Sequence, residues 1–272
     1  MSKELNFSLN GKNILVTGAA GILGKTFVQG LLTSGANVAL LDLTKDSLDK
    51  VASEMKVPSG QKTLVLPCDI TDENQVKTAI ERIEKEWGQI HVLFNNAASK
   101  SSDLNKFFAP FEEFPLETWR EVMAVNIDGM FLVAKHVGKH MVKNSIQGSI
   151  IQTASIYGVV APDQGIYVGS EYLGRQINTP AVYSASKAAV IGLTQYLAAY
   201  WGPKGIRVNT LTPGGMQSGQ NEKFVSNYSK KVPLGRMGEA SELVGALVFL
   251  ASDVSSYVTG QNLVVDGGFT VW

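Results

Sequence analysis

Short, almost uninterrupted apolar runs alternate along the chain with longer stretches in which apolar positions recur every three or four residues. The runs Asn13–Thr17, Asn37–Asp42, Thr63–Pro67, His91–Phe94, Gly148–Ala154, Ile206–Leu211 and Asn262–Val265 predict buried strands. A strand covered on both faces has no polar side to alternate with, so it reads as continuous apolar sequence. Between two of these runs, Val76, Ile80, Ile83 and Trp87 follow a helical period. Thr71 or Asp72 is placed to cap that helix and Gly88 to end it. The repeated strand–helix–strand rhythm predicts an α/β fold, a doubly wound parallel sheet of about seven strands with helices on both faces. No linker, repeat or low-complexity tract interrupts it, and one domain is expected over residues 1–272.

Composition narrows the function classes. Hydrophobic residues make up 44 %, enough for a large core, and 24 basic residues balance 24 acidic ones. A neutral balance argues against a nucleic-acid footprint or a polybasic membrane surface. Cys68 is the only cysteine, so no intrachain disulfide can form, and a reducing compartment is the simpler expectation. Residues Met1 to Lys12 are polar, without the apolar core of a signal peptide, and no apolar run is long enough to cross a bilayer. A cytoplasmic globular protein is expected.

Candidate chemistry begins at the first strand. Asn13-Ile-Leu-Val-Thr17 runs into Gly18-Ala-Ala-Gly21-Ile22-Leu23-Gly24 and then into a helical pattern. Glycines there allow a tight turn and a close approach of backbone to a pyrophosphate, and a helix start presents free N–H groups and the positive end of its dipole. This is the opening of a Rossmann-type dinucleotide site. About twenty residues beyond the first glycine, the second strand ends in Asp42. A carboxylate there can accept hydrogen bonds from the ribose hydroxyls of the adenosine and would repel a 2′-phosphate, which favours NAD over NADP; the competing role is a cap for the next helix. Further on, Tyr183-Ser-Ala-Ser-Lys187 puts a phenol and an ammonium at i and i+4, on one face of a helix. A phenol ionises near pH 10, and a neighbouring ammonium favours phenolate, so the pair can exchange a proton with an alcohol or carbonyl.

Taken together and in order, these motifs resemble the short-chain dehydrogenase/reductase family, in its short single-domain branch, over nearly the whole length. Cys68-Asp69-Ile70 resembles the acid after the third strand, and Asn95-Asn96-Ala97-Ala98 the motif that ends the fourth. Asn126 in Val125-Asn-Ile-Asp-Gly129, Ser155 after the fifth strand, Pro213-Gly214, Pro233-Leu-Gly-Arg236 and Val265-Asp-Gly-Gly268 complete the series. The resemblance implies Tyr183 as general acid/base, with Ser155 on the substrate oxygen. Lys187 would lower the tyrosine pKa and hold the ribose, and Asn126 would hold a water on a proton path. Asp69, Ile70, Asn96, Ala97, Pro213, Gly214, Met216 and Ser218 would join the glycine turn and Asp42 around NAD, with no metal. It further implies a homo-oligomer, a tetramer or dimer, in which the Leu116–Val142 and Ala181–Trp201 helices pack between subunits.

Three departures matter. The middle glycine stands at 21 instead of one place later, a spacing seen in the longer branch that holds sugar-nucleotide epimerases and dehydratases. Ala98 replaces a glycine. The separation of Ser155 from Tyr183 is about twice the family's common one, so that residues 161–180 form an insertion with Tyr167, Glu171, Tyr172, Arg175 and Gln176. The segment 99–117, with Lys100, Lys106, Phe107 and Phe108, is also long. Ordered loops of such length are often functional. Lys100, Lys106 and Arg175 could meet a phosphate or carboxylate, and Tyr157, Tyr167 and Tyr172 could stack on a sugar. Ser155 to Asp163 also resembles members associated with sialic-acid-like (legionaminic-type) sugar biosynthesis. The expectation is an NAD(H)-dependent oxidoreductase of a secondary alcohol or ketone on a small polar, sugar-like or sugar-phosphate substrate. An epimerase or dehydratase that retains its NAD, or a non-catalytic NAD-binding regulator, are the alternatives.

Overall fold

The computed structural model describes residues 6–172 and 174–272; Leu173 and the side chain of Arg175 lie outside the described residues. Seven parallel strands form one sheet in the order β3-β2-β1-β4-β5-β8-β9. They are β1 (Asn13–Thr17), β2 (Asn37–Asp42), β3 (Thr63–Pro67), β4 (Val92–Asn95), β5 (Ser149–Thr153), β8 (Arg207–Pro213) and β9 (Asn262–Val265). The apolar runs mark all seven. The sixth extends two residues past the expected Leu211 to Pro213, which carries the chain directly to Gly214.

Helices cover both faces. On one side α1 (Gly24–Thr33), α2 (Lys45–Glu54) and α9 (Val244–Ala251) bury Phe27, Leu31, Leu48 and Leu247 against β1, β2 and β4, with Phe27 edge-on to Phe94 at 4.8 Å. On the other, α3 (Glu73–Trp87), α6 (Met130–Lys143) and α7 (Ala181–Trp201) bury Ile83, Val137 and Trp201. Asp72, not Thr71, caps α3, accepting from the N–H groups of Asn74 and Gln75, and Gly88 ends it with φ 79°. The long helix expected over Leu116–Val142 is not one α-helix. It comprises α5 (Leu116–Met123), a π-helical segment Ala124–Gly129 and α6, with Asn126 inside the widened turn. Both long segments carry small elements of their own. Segment 99–117 holds the single turn α4 (Leu104–Phe107), and segment 161–180 holds a 3-10 turn (Gln164–Tyr167) and the two-residue hairpin strands β6 (Glu171–Tyr172) and β7 (Arg175–Gln176). A last helix, α8 (Glu222–Ser229), follows β8. Among the described residues no helix is long and apolar enough to cross a membrane.

At the amino ends of the strands two imidazoles act as acceptors. The Asn13 N–H donates to His91 Nδ1 (2.9 Å) and the Ile90 N–H to His140 Nε2 (3.1 Å). Protonation would set donor against donor, and burial already holds both rings below the ordinary imidazole pKa. A depressed folded-state pKa gives a contribution that is full above the unfolded value of about 6.5 and is lost as pH falls through the folded value. Thermal midpoints measured between pH 8 and pH 5 are therefore expected to fall on the acid side of about pH 6.5. A His140→Gln variant, whose amide oxygen can still accept, should show a weaker fall; identical slopes in the two proteins would remove His140 from this account.

Candidate active site

The carboxyl ends of the parallel strands surround a cleft of about 790 Å³. It opens where strand order reverses, between β1 and β4, the position that doubly wound sheets use for ligands. Backbone clearance defines its floor. Gly18 has φ +66°, and a Cβ there would stand 2.8 Å from Ala97 Cα; at Gly24 it would stand 2.1 Å from the Gly18 carbonyl oxygen. A side chain at either position would therefore close the turn. Gly21 closes that turn by donating to the same carbonyl (3.1 Å). No side chain caps α1, whose amino end faces the cleft through Ile22, Leu23 and Gly24. Those features, a cradle that a Cβ would fill at an uncapped helix start, fit a dinucleotide pyrophosphate.

Asp42 lines the same cleft. Its carboxylate accepts from the N–H groups of Ala20 (2.9 Å) and Leu43 (2.8 Å), while Thr44 caps α2, so the helix-cap role does not fall to Asp42. Asp69, Ile70, Asn96 and Ala97 form the wall beyond it, and Pro213, Gly214, Met216 and Ser218 the opposite one. Asp69 is tied to the Thr71 N–H and hydroxyl (2.9 and 2.7 Å), and Ser218 exchanges hydrogen bonds with the Gln220 amide (2.8 and 2.9 Å).

At the inner end α7 brings Tyr183 and Lys187 to one face, and the chain leaving β5 brings Ser155 to them. Lys187 is 2 % exposed; its Nζ donates to the Thr153 carbonyl (3.0 Å) and stands 5.9 Å from the centre of the Tyr183 ring. Burial lowers the Lys187 ammonium to about 8. Burial also raises the Tyr183 phenol above its ordinary value, and the Ser155 hydroxyl pulls it down by less. From the sequence, Lys187 is expected to lower the phenol's pKa. In this cleft desolvation outweighs any such effect, because both groups leave water and both lose their charged form's hydration. Asn126 does not line the cleft. It is fully buried, accepting the Ser99 N–H on Oδ1 (2.8 Å) and donating to Ser186 Oγ (3.3 Å). Its side chain is thus committed to holding α7 and the 99–117 segment in place.

Several expected substrate contacts are placed elsewhere. Lys106 pairs with Glu117, which takes up its charge, while Lys100 lies 5.0 Å over the Tyr172 ring. Tyr157 and Tyr167 pack into an apolar cluster with Phe224, Tyr228 and Phe269 and are not cleft-lining, because that is where their rings find apolar surface. The side chain of Arg175 is outside the described residues. Three residues that sequence reasoning passed over shape the site. Thr17 ties β1 to β4 through its hydroxyl, Thr153 offers its carbonyl to Lys187 and its hydroxyl to Asn96, and Gly158 lies against α7, where a Cβ would stand 2.6 Å from the Lys187 carbonyl carbon. Only the last carries a sequence signal, a glycine three residues after Ser155.

A doubly wound parallel sheet with this cradle and this Ser–Tyr–Lys group defines a nucleotide-binding oxidoreductase. The chain belongs to the short-chain dehydrogenase family. Residues 12–170 match the family described as short chain dehydrogenase, and residues 160–270 match the one described as Enoyl-(Acyl carrier protein) reductase. It is 36 % identical to gluconate 5-dehydrogenase of Gluconobacter oxydans over 277 aligned residues, covering 100 % of this chain and 99 % of that one. A crystal structure of NAD+-bound xylitol dehydrogenase superposes with TM-score 0.82 at 31 % identity, covering 95 % of this chain and 99 % of that one. A gluconate 5-dehydrogenase from Burkholderia cenocepacia, in complex with NADP and tartrate, superposes with TM-score 0.83 at 32 % identity and 98 % coverage of both. These relatives act on sugar acids and polyols by name and give no support to the kinship with sialic-acid-like sugar biosynthesis. The stretch Ser155 to Asp163, on which that kinship rested, leads into the apolar cluster around Tyr157 and away from the cleft.

Because Gly158 sets the distance between the Ser155 turn and α7, Gly158→Ala must push the two apart. Overpacking of this kind costs about 1–3 kcal/mol. The variant is expected to lose that much stability in urea unfolding and to lose turnover more steeply than cofactor binding. Wild-type turnover would show that the contact relaxes without moving Tyr183 or Lys187.

Proposed function

We propose that the protein is a dehydrogenase/reductase that interconverts a secondary alcohol and a ketone on a small polyhydroxylated substrate, a sugar acid or a polyol, with NAD as its preferred cofactor. The observation that carries the reading is the convergence of Ser155, Tyr183 and Lys187 at the inner end of a cleft whose outer end is cut to a dinucleotide. When bound, the nicotinamide supplies or accepts the hydride. The chain's own part is proton handling and orientation. With its pKa raised by burial, Tyr183 is protonated at neutral pH, ready to give its proton to a carbonyl oxygen; in the reverse direction the phenolate takes the proton of the alcohol. The Ser155 hydroxyl is set to donate to the same oxygen and to steady its growing charge. Lys187, buried beside the Tyr183 ring, would hold the ribose. Asn126 acts as a positioning residue, through Ser99 and Ser186.

Preference for NAD rests on Asp42. Its carboxylate faces the region where the adenosine ribose would lie, and a 2′-phosphate there would meet a like charge. A polyhydroxylated substrate is supported by the names of the relatives and by the small polar groups, Ser99 and Ser155, that line the inner cleft. A cytoplasmic setting accords with the one cysteine, Cys68, being a buried free thiol.

Absorbance at the NADH or NADPH band, followed with a panel of aldonic acids, polyols and their ketones, tests the reading. Turnover is expected with one such class, faster with NAD than with NADP. Tyr183→Phe should lower it by about 10²–10⁴-fold while NADH still binds. Turnover confined to apolar alcohols, or undiminished in Tyr183→Phe, would overturn the assignment.

A homo-oligomer belongs to the same reading. A groove between α6 and α7 exposes Phe131, Val142, Tyr196 and Tyr200, and the last two rings stack at 5.9 Å with 10° between planes. Exposed aromatic and aliphatic surface of this kind, rimmed by Lys135, Lys139, Lys143 and Lys204, suits a second copy packing helix to helix. Light scattering should give a mass of two or four chains, and Tyr200→Glu should shift it toward one. A monomeric wild-type mass excludes the interface.

A further inference from the structure

The wall of the cleft formed by Pro213, Gly214 and Met216, with Gly215 in the same turn, is held mostly by backbone. Gly214 donates to the Val265 carbonyl (3.0 Å), Gly238 to the Gly215 carbonyl (3.0 Å) and Gln217 to the Gly238 carbonyl (2.8 Å). Two side chains join this set: the Gln220 amide donates to the Met216 carbonyl (2.9 Å), and Tyr228 receives the turn from the other side. The Gly215 N–H donates to Tyr228 Oη at 2.5 Å. On the other flank Asp266 presses on Gly214, where a Cβ would lie 2.7 Å from its Cα; the Tyr228 ring presses on Gly215, where a Cβ would lie 2.5 Å from Cζ. Two successive glycines are needed because the loop is gripped from both sides.

Tyr228 is 2 % exposed and stands in the middle of a line of rings. It stacks on Phe269 of the carboxyl segment (5.0 Å between centres, 21° between planes) and leans on Phe224 of α8 (5.8 Å, 31°). Phe224 stacks in turn on Tyr167 of the inserted segment 161–180 (5.4 Å, 26°). The Tyr167 hydroxyl bonds Thr179, two residues before the start of the helix that carries Tyr183. The insertion, α8 and the carboxyl end thus form one aromatic body, and the Tyr228 hydroxyl is its bond to the cleft wall.

The wall follows β8, which pairs with β5 beside Ser155 and is separated from β2 and Asp42 by β1, β4 and β5, so it belongs to the end of the cleft opposite the adenosine. We propose that Tyr228 is a positioning residue for the nicotinamide half of the cofactor site, fixing the Gly214–Gly215 peptide and coupling it to the inserted segment. The proposal rests on the cofactor reading above. An amide–phenol hydrogen bond that orders a binding loop contributes a few-fold to affinity, and leaving the amide unpaired adds to the loss.

Tryptophan-fluorescence titration separates the possibilities. Two ligands are used, NADH and ADP-ribose, the second of which lacks the nicotinamide. Tyr228→Phe keeps the ring stack and removes only the hydroxyl. It is expected to weaken NADH about fivefold, to leave ADP-ribose within twofold of wild type, and to raise KM for NAD more than it lowers kcat. Phe224→Leu, which breaks the line of rings and spares the hydroxyl, should raise KM for the alcohol and weaken NADH by less than Tyr228→Phe does. Equal NADH affinity in Tyr228→Phe and wild type, or an equal loss for both ligands, would overturn the proposal. Failure of the unsubstituted chain to bind either ligand would instead bring down the cofactor reading, and this inference with it.

Discussion

The hydroxyl of Thr17 is the interaction on which the site depends. It lies wholly buried at the end of β1, accepts the N–H groups of Asn96 (2.9 Å) and Ala97 (3.0 Å), and donates to Asn95 Oδ1 (3.2 Å). A hydroxyl has one proton and two lone pairs, so all of its capacity is in use. The net worth of each bond is modest, but an abandoned buried amide costs about 1–3 kcal/mol. This knot joins the two strands between which the sheet's winding reverses. It continues outward, because Asn96 Nδ2 donates to the Thr17 carbonyl (3.2 Å) and Thr153 Oγ1 donates to Asn96 Oδ1 (3.3 Å). The Thr153 carbonyl then receives Lys187. Hydrogen bonds and the Thr153 backbone therefore link the glycine turn to the ammonium, and the distance between Gly18 and Lys187 is fixed by that link.

Desolvation sets the electrostatics of the inner cleft. Lys187 and Tyr183 are pushed in opposite directions by the same removal of water, the one down to about 8, the other up. In the protein alone the phenol is thereby kept as an acid. Whatever enters the cleft with a positive charge near the ring would favour phenolate, so ligand binding and proton affinity are linked. Both groups are carried by α7, so a small displacement of that helix would change both values together.

Strands and motifs were legible in the sequence for a common reason: each is local. A buried parallel strand has to be apolar throughout, as Val38-Ala-Leu-Leu is. Glycines that turn a strand into a helix have to sit at its end, as Gly18, Gly21 and Gly24 do. Tyr183 and Lys187 are one helical turn apart. Every residue named for the dinucleotide lines the cleft. What sequence could not give is where a long segment turns. Tyr157 and Tyr167 carry the composition of a sugar platform, but their rings are drawn into the apolar cluster beneath α8, and Lys106 is neutralised by Glu117, a pairing set only by the fold of 99–117. Thr153 contributes a carbonyl, which every residue has. The widened turn at Asn126 was hidden for a similar reason, since a π-helical segment keeps the polarity pattern of an ordinary helix and differs only in phase.

That phase has a consequence for how the chain can change. Each residue of an α-helix turns its successor by about 100°. The extra residue absorbed at Ala124–Gly129 therefore lets α5 present Val122 to Phe107 and Val182 while α6 presents Val133 and Val137 to the main core. Removing one residue there would restore regular helical hydrogen bonding locally and, in the same stroke, rotate every side chain of α6 out of register with α3 and β4. Length is constrained in this stretch together with identity: Asn126 reaches Ser99 and Ser186 from inside the widened turn, and a Cβ at Gly129 would stand 2.7 Å from the Ile70 side chain.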